Sequence, residues 1–185
     1  MEVAGDGPGF RPLTREDFTM VAAWLDEPHV APWWRDAHGP HDLEAAYGPV
    51  VDGTDGTEVR VVTVGGTPVG LVQRYLLRDE PAWRAALAPA DVPLDAFGID
   101  YLIGDPGRIG RGLGTRTIAT FVHDSWDRYP DATACAVAVH RANLRSLAVL
   151  DRVGFAPVWE GELDSGDPGD EGPQIVLVLA RPTRD

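Results

Sequence analysis

Apolar residues recur along this chain with two periods, one suited to helices and one to strands, and each switch between them marks an element. Phe10 to Leu13 (FRPL) reads as a short strand. Thr14 then stands as a helix N-cap, with Asp17 in place of the usual glutamate of a capping box. Phe18, Val21, Ala22 and Leu25 follow at helical spacing. Pro28 and Pro32 break that pattern and leave Trp33 and Trp34 on a loop. A second helix covers DLEAAYGPVV, its end blurred by Gly48 and Pro49. The runs EVRVVTV and TPVGLVQRYLL are strands joined by Gly65-Gly66, a hairpin turn. Arg78 to Ala96 is an insertion with a short helix at AWRAAL, and FGIDYLIG is the next strand.

After a glycine-rich stretch, Leu113, Ile118, Phe121, Val122, Trp126 and Tyr129 repeat on one helical face. ATACAVAVH is a buried strand, and NLRSLAVLDRV is a helix closed by Gly154. FAPVWEGEL and QIVLVLA supply two final strands, separated by an acidic loop rich in glycine and proline. The order β-α-α-β-β-β-α-β-α-β-β predicts a mixed α/β fold, and 185 residues suit one domain, 1–185.

Composition narrows what such a domain does. No apolar run is long enough for a membrane span, and the start of the chain has no secretory pattern. Cys135 is the single cysteine, which excludes an internal disulfide; its place in ACAVAV reads as core rather than nucleophile. These features predict a cytoplasmic protein. The five histidines are scattered, so no metal site is expected, and His140 reads as a strand-end surface residue. The net charge of −13 disfavours nucleic acid and favours a cationic partner. All sixteen basic residues are arginine, and Arg108, Arg111, Arg116, Arg128, Arg141, Arg145 and Arg152 gather in one region. Acidic residues crowd elsewhere: Asp26, Glu27, Asp36, Asp42, Glu44, Asp79, Glu80, and Asp164 to Glu171. That asymmetry points to an anionic ligand near the first region and a cationic one near the second.

The stretch between the strand FGIDYLIG and the next helix carries the chemistry. Walker A chemistry needs a lysine, and the chain has none; a dinucleotide fingerprint needs glycine where Thr117 stands. What remains is a tight turn whose amides converge at a helix N-terminus, an anion site if it is more than a plain connection. Gly110, Gly112 and Gly114 allow close approach of a phosphate, and Arg108 and Arg111 add charge.

GRGLGT after GIDYLIG, and later NLRSLAVLDRVGF, resemble the acetyl-CoA-binding core of the GNAT N-acetyltransferases. The resemblance implies the GNAT fold, a mixed and mostly antiparallel sheet flanked by helices. It implies acetyl-CoA as co-substrate, held by Arg108, Ile109, Gly110, Arg111, Gly112, Leu113, Gly114 and Thr115. Ile109 departs from the polar residue the family places first in this motif. Within the family, the chain is similar to aminoglycoside 6′-N-acetyltransferases, which confer antibiotic resistance. The shared features are RPLTREDF…WL…HV…WW, Tyr47 before a proline, Gln73 and Tyr75 on one strand, Gly98-Ile99-Asp100, and Glu171 before Gly172-Pro173. Those enzymes commonly place an aspartate where Ala138 stands, and many relatives place a thiolate-protonating tyrosine where Leu150 stands.

On this resemblance Asp100 is the candidate base; it also reads as a strand-end aspartate satisfied by backbone amides. Amides of Leu102 and Ile103 would polarise the thioester carbonyl and align the pantetheine arm. Asn143 would contact the cofactor arm, or cap the last helix, or both. Trp33, Trp34, Tyr47, Gln73, Tyr75 and Trp83, with Asp79, Glu80, Asp100 and Glu171, would line a cleft for a cationic amine; for each aromatic a core role is an equal alternative. Trp24 and Trp126 read as core. Two other functions remain: acylation of a lysine- or hydroxylysine-type amine in siderophore assembly, whose enzymes carry histidine where Asp100 stands, and a non-catalytic acetyl-CoA-binding module. The oligomeric state expected is monomer or homodimer, with no nucleic-acid or membrane partner.

Overall fold

The computed structural model describes residues 7–34, 39–166 and 170–183. Asp36, and residues 167–169 of the acidic loop, lie outside them. The chain divides into two compact units, Met1–Gln73 with Tyr101–Thr120, and Arg74–Asp100 with Phe121–Asp185. Seven strands form one sheet: β1 (Pro8–Pro12), β2 (Glu58–Val64), β3 (Thr67–Leu76), β4 (Phe97–Ile103), β5 (Ala134–His140), β6 (Ala156–Glu162) and β7 (Pro173–Ala180). Their order is β1-β2-β3-β4-β5-β7-β6. β3 and β4 each begin in one unit and end in the other.

In the first unit β1 pairs antiparallel with β2, from Pro8↔Val64 to Pro12↔Arg60. The strand begins at Pro8 rather than Phe10, because its backbone continues the ladder beyond the apolar residues. The capping motif at Thr14 starts a single 3-10 turn, Arg15–Asp17, and α1 (Phe18–Leu25) follows it. Asp17 accepts from the Thr14 amide (2.9 Å) and hydroxyl (3.0 Å) and from both arms of Arg11 (2.7 and 2.6 Å). Its carboxyl is held below the usual aspartate value, chiefly by Arg11 and then, against the opposing cost of burial, by Thr14. α2 (Pro40–Val51) is longer than the expected segment, because Pro40 occupies its first turn, where no amide is needed. Pro49 sits within its last turn. Val21, Trp24 and Leu25 of α1 and Leu43 and Tyr47 of α2 bury against Val59, Val61, Leu71 and Leu102 of the sheet. Trp24 is therefore core, as its helical spacing predicts.

In the second unit β5 and β7 pair antiparallel from Ala134↔Ala180 to His140↔Gln174, and β6 pairs with β7 through a bulge between Pro157 and Trp159. β4 joins β5 in parallel through Phe97↔Cys135 and Gly98↔Ala136. The insertion folds as two 3-10 turns (Leu77–Asp79, Ala88–Ala90) around α3 (Pro81–Ala86). Its Leu77, Leu87 and Ala90 bury with Ala96, Ala134, Ala136 and Val176. α4 (Leu113–Arg128) starts in the first unit and ends in the second, where Trp126 and Tyr129 meet Phe97 with ring centroids 4.8 and 5.5 Å away. Arg74, 3% exposed, lies with its guanidinium carbon 5.2 Å from the Phe121 ring and donates to Asp124 at 2.7 Å, so its charge is buried but paired. α5 (Leu144–Val153) opens at Asn143 and closes at Gly154, whose φ of +105° suits glycine.

Candidate functional site

Among the described residues the candidates fall into two sets, one in each unit. The first set begins with the turn before α4. Gly110 and Gly112 adopt φ of +76° and +73°, the left-handed region, and a Cβ at either would meet nothing within 4 Å. A side chain is therefore excluded by backbone angle and not by crowding, and the exposed backbone stays open to a ligand. Gly114 lies inside the first turn of α4 and not in the left-handed bend, because the helix already begins at Leu113. Leu113 is itself buried, so only its backbone could face a ligand. Gly112 accepts the first helical bond, from Arg116 at 3.2 Å, which leaves the amides of Leu113, Gly114 and Thr115 without an intrahelical partner. Arg108 and Ile109 are half-buried and Arg111 is exposed; the Arg108 guanidinium stands 3.7 Å from Asp105.

Upstream of this turn, the exit of β4 is fixed from two sides. The Ile103 carbonyl lies 2.7 Å from Nε2 of His29. A carbonyl only accepts, so Nε2 carries the proton. Gly104 lies against the Trp24 ring, so closely that no Cβ fits, and its amide donates to Val69 at 2.9 Å. Leu102 and Ile103 thus belong to a braced strand end. His29 carries no sequence signal for this role, since 74 residues separate it from its partner.

The same unit holds a cavity of about 190 Å³ lined by Trp34, Ala46, Tyr47, Val50, Asp55, Thr57, Val59 and Gln73. Of the residues expected to line a cleft, Trp34, Tyr47 and Gln73 are brought together here. Tyr47 also serves the core, being 6% exposed. Among the described residues the buried indole nitrogen of Trp34 has no hydrogen-bond partner. Asp55 and Thr57 join the lining without having been foreseen, because they sit in an unpatterned turn. Trp33 is 37% exposed and is absent from the cavity lining.

The second set centres on Asp100, half-buried on β4. A Cβ on Gly98 would stand 2.5 Å from the Tyr75 ring, so glycine leaves room for that ring. The Tyr75 phenol hydrogen-bonds to Asp100, and burial, followed by the Asp100 charge, pushes it well above the ordinary tyrosine value. Cys135 is fully buried, its thiol pushed up by burial and then by Asp100, which makes it a neutral core residue. Trp83 and Ala138 pack with Tyr75 and Trp159 against the cluster under the insertion. Asp79 is largely exposed, 3.9 Å from Arg78, and Glu80 precedes α3. Asn143 accepts from the Ser146 amide at 3.2 Å and so caps α5. Glu171 is exposed beside Gly172, whose φ is +90°. Gln174, 2% exposed, donates to the Asp170 carbonyl at 3.0 Å and anchors this acidic loop. His140, half-buried at the end of β5, accepts the Ala142 amide on Nδ1 at 3.1 Å. Leu150 is fully buried, and no described helix is long and apolar enough to cross a membrane.

Residues 14–163 match the family model described as an acetyltransferase (GNAT) domain. The chain belongs to the GNAT acetyltransferases. As a GNAT protein it is an acyltransferase, and its seven-stranded mixed sheet is the fold that the sequence order predicted. This GNAT chain is 24% identical over 183 residues to aminoglycoside N(6')-acetyltransferase type 1 of Klebsiella pneumoniae, covering 96% of this chain and 85% of that protein. Its fold matches the crystal structure of aminoglycoside acetyltransferase AAC(6')-Ib with coenzyme A and kanamycin at a TM-score of 0.77, with 23% identity over 94% of this chain and 95% of that one. It also matches a spermidine N-acetyltransferase SpeG chimera from Vibrio cholerae and hSSAT at a TM-score of 0.67, with 14% identity over 94% and 95% of the two chains.

Proposed function

We propose that this protein transfers acetyl from acetyl-CoA to an amine of an aminoglycoside, at the 6′ position, and that the whole chain serves as one catalytic domain. The observation that carries the reading is that the likeness to an aminoglycoside enzyme runs over 183 residues and 96% of the chain, well beyond the glycine turn. The cavity holding Trp34, Tyr47 and Gln73 supports it, since an unpartnered indole donor beside a phenol and an amide suits a ligand rich in hydroxyls and amines.

The turn suits coenzyme A because Gly110 and Gly112 leave space that a Cβ would occupy, at the start of a helix of 16 residues. Amides from Gly110 to Thr115, with Arg108 and Arg111, would hold its diphosphate, and Asn143 its arm. Bound acetyl-CoA supplies an acyl thioester. Amides of Leu102 and Ile103 stabilise negative charge developing on the carbonyl oxygen. Asp100 takes the proton from the acceptor ammonium, so that the free amine forms the new C–N bond as the C–S bond breaks. With Leu150 in place of a phenol, no protein group of this chain is assigned to protonate the thiolate.

Thiol release from acetyl-CoA, measured with kanamycin-type aminoglycosides, polyamines and lysine derivatives, tests the reading. Aminoglycoside-dependent release is expected to fall about a hundredfold or more in Asp100→Asn, with affinity for acetyl-CoA kept. Release stimulated only by polyamines or lysine derivatives would replace the aminoglycoside assignment. Binding of acetyl-CoA without release by any amine would leave a ligand-binding module.

A further inference from the structure

The sequence put Tyr75 among the aromatics of an acceptor cleft, yet its ring lies against the backbone of Gly98. A Cβ on Gly98 would stand 2.5 Å from Cε2 and Cζ of the ring and 2.7 Å from the phenol oxygen. Glycine at 98 therefore creates the seat in which the ring lies. Trp83, Ala138 and Trp159 pack with it against one apolar cluster. Positions two apart on a strand share a face, so Asp100 projects from the side of β4 that carries the ring. The phenol hydrogen-bonds to this carboxylate.

We propose that Tyr75 is a positioning residue: seated on Gly98, it donates its O–H to Asp100 and holds the carboxylate in one orientation, ionised, for taking a proton from the acceptor amine. The proposal rests on Asp100 acting as the base. A donor carried on a packed ring narrows the orientations open to the carboxylate, and orientation is a large share of catalysis. The direction of the exchange is fixed by the surrounding groups. Burial and then Asp100 keep the phenol protonated, with smaller effects from Cys135 and Asp170, so it remains a donor at every working pH. The Cys135 thiol, on the neighbouring β5, is likewise held neutral by burial and Asp100. A neutral donor aimed at a carboxylate favours its charged form.

Tyr75→Phe keeps a ring on Gly98 and removes only the hydroxyl. In the full chain labelled at aspartate carboxyl carbons, with Asp100→Asn identifying the signal, the Asp100 titration midpoint is expected to rise by about one pH unit, a tenfold change in proton affinity. The acidic limb of the pH profile of kcat/KM should move upward with it, kcat falling about tenfold while the acceptor KM stays within about twofold. Gly98→Ala, which evicts the ring but keeps the tyrosine, should raise the midpoint in the same direction. An Asp100 midpoint unchanged in both variants overturns the proposal. Because the titration needs no turnover, it separates this failure from that of the acetyl-transfer reading, which thiol release by the wild-type chain decides.

Discussion

Gly112 and Gly53 hold nearly the same backbone angle, φ of +73° and +70°, and a Cβ on either would meet nothing within 4 Å. Alanine at each position therefore carries the same strain, about 1–2 kcal/mol for an L-residue in the left-handed region. The two differ in what lies outside: Gly53 follows α2, while Gly112 opens α4. Gly112→Ala and Gly53→Ala should lower the melting temperature alike, by about 2–4 °C per kcal/mol. Only Gly112→Ala should weaken acetyl-CoA in calorimetry, by about tenfold or more, since its methyl group enters the space assigned to the diphosphate. Equal affinities in the two variants would remove the turn as the cofactor site.

At the scale of elements, the entry to α1 rests on a single carboxylate. Asp17 accepts four hydrogen bonds, from both arms of Arg11 and from the amide and hydroxyl of Thr14. Asp17→Asn should cost about 1–2 kcal/mol in denaturant unfolding at neutral pH, the lower figure reflecting the partial exposure of Arg11. Because the folded carboxyl is held below its ordinary value, its stabilisation is complete above the unfolded value of about 4 and is lost as pH falls through the lower folded one. The wild type and the variant should converge in stability there; a gap persisting into strong acid would show that charge is not the cause.

Elements with a sustained period were legible without coordinates. The alternating β2 and β3, and α5 between Asn143 and Gly154, lie within a residue or two of where their apolar spacing puts them. The 3-10 turns at Arg15–Asp17, Leu77–Asp79 and Ala88–Ala90 were not, since three residues cannot display a period. Of the candidate site, the glycine turn was visible because positive φ selects a residue type. The seat of Tyr75 on Gly98, the brace of His29 on Ile103 and the lining by Asp55 were hidden. Each joins residues distant in the chain through shape, which leaves no local mark.

For the molecule as a whole, charge sets how an acceptor arrives. A net charge of −13 surrounds the protein with a field that attracts polycations over distances that salt screens. With acetyl-CoA saturating, kcat/KM for a polycationic aminoglycoside should fall roughly tenfold from low to physiological ionic strength, and much less for a monoamine acceptor. Equal salt dependence for both would locate acceptor selection in short-range contacts alone.

The chain passes between its two units three times, after Gln73, after Asp100 and after Thr120. No single cut, by protease or by a stop codon, can release both units intact: at least one fragment always carries pieces of each. Either unit on its own could be made as one uninterrupted polypeptide only by rewiring its loops.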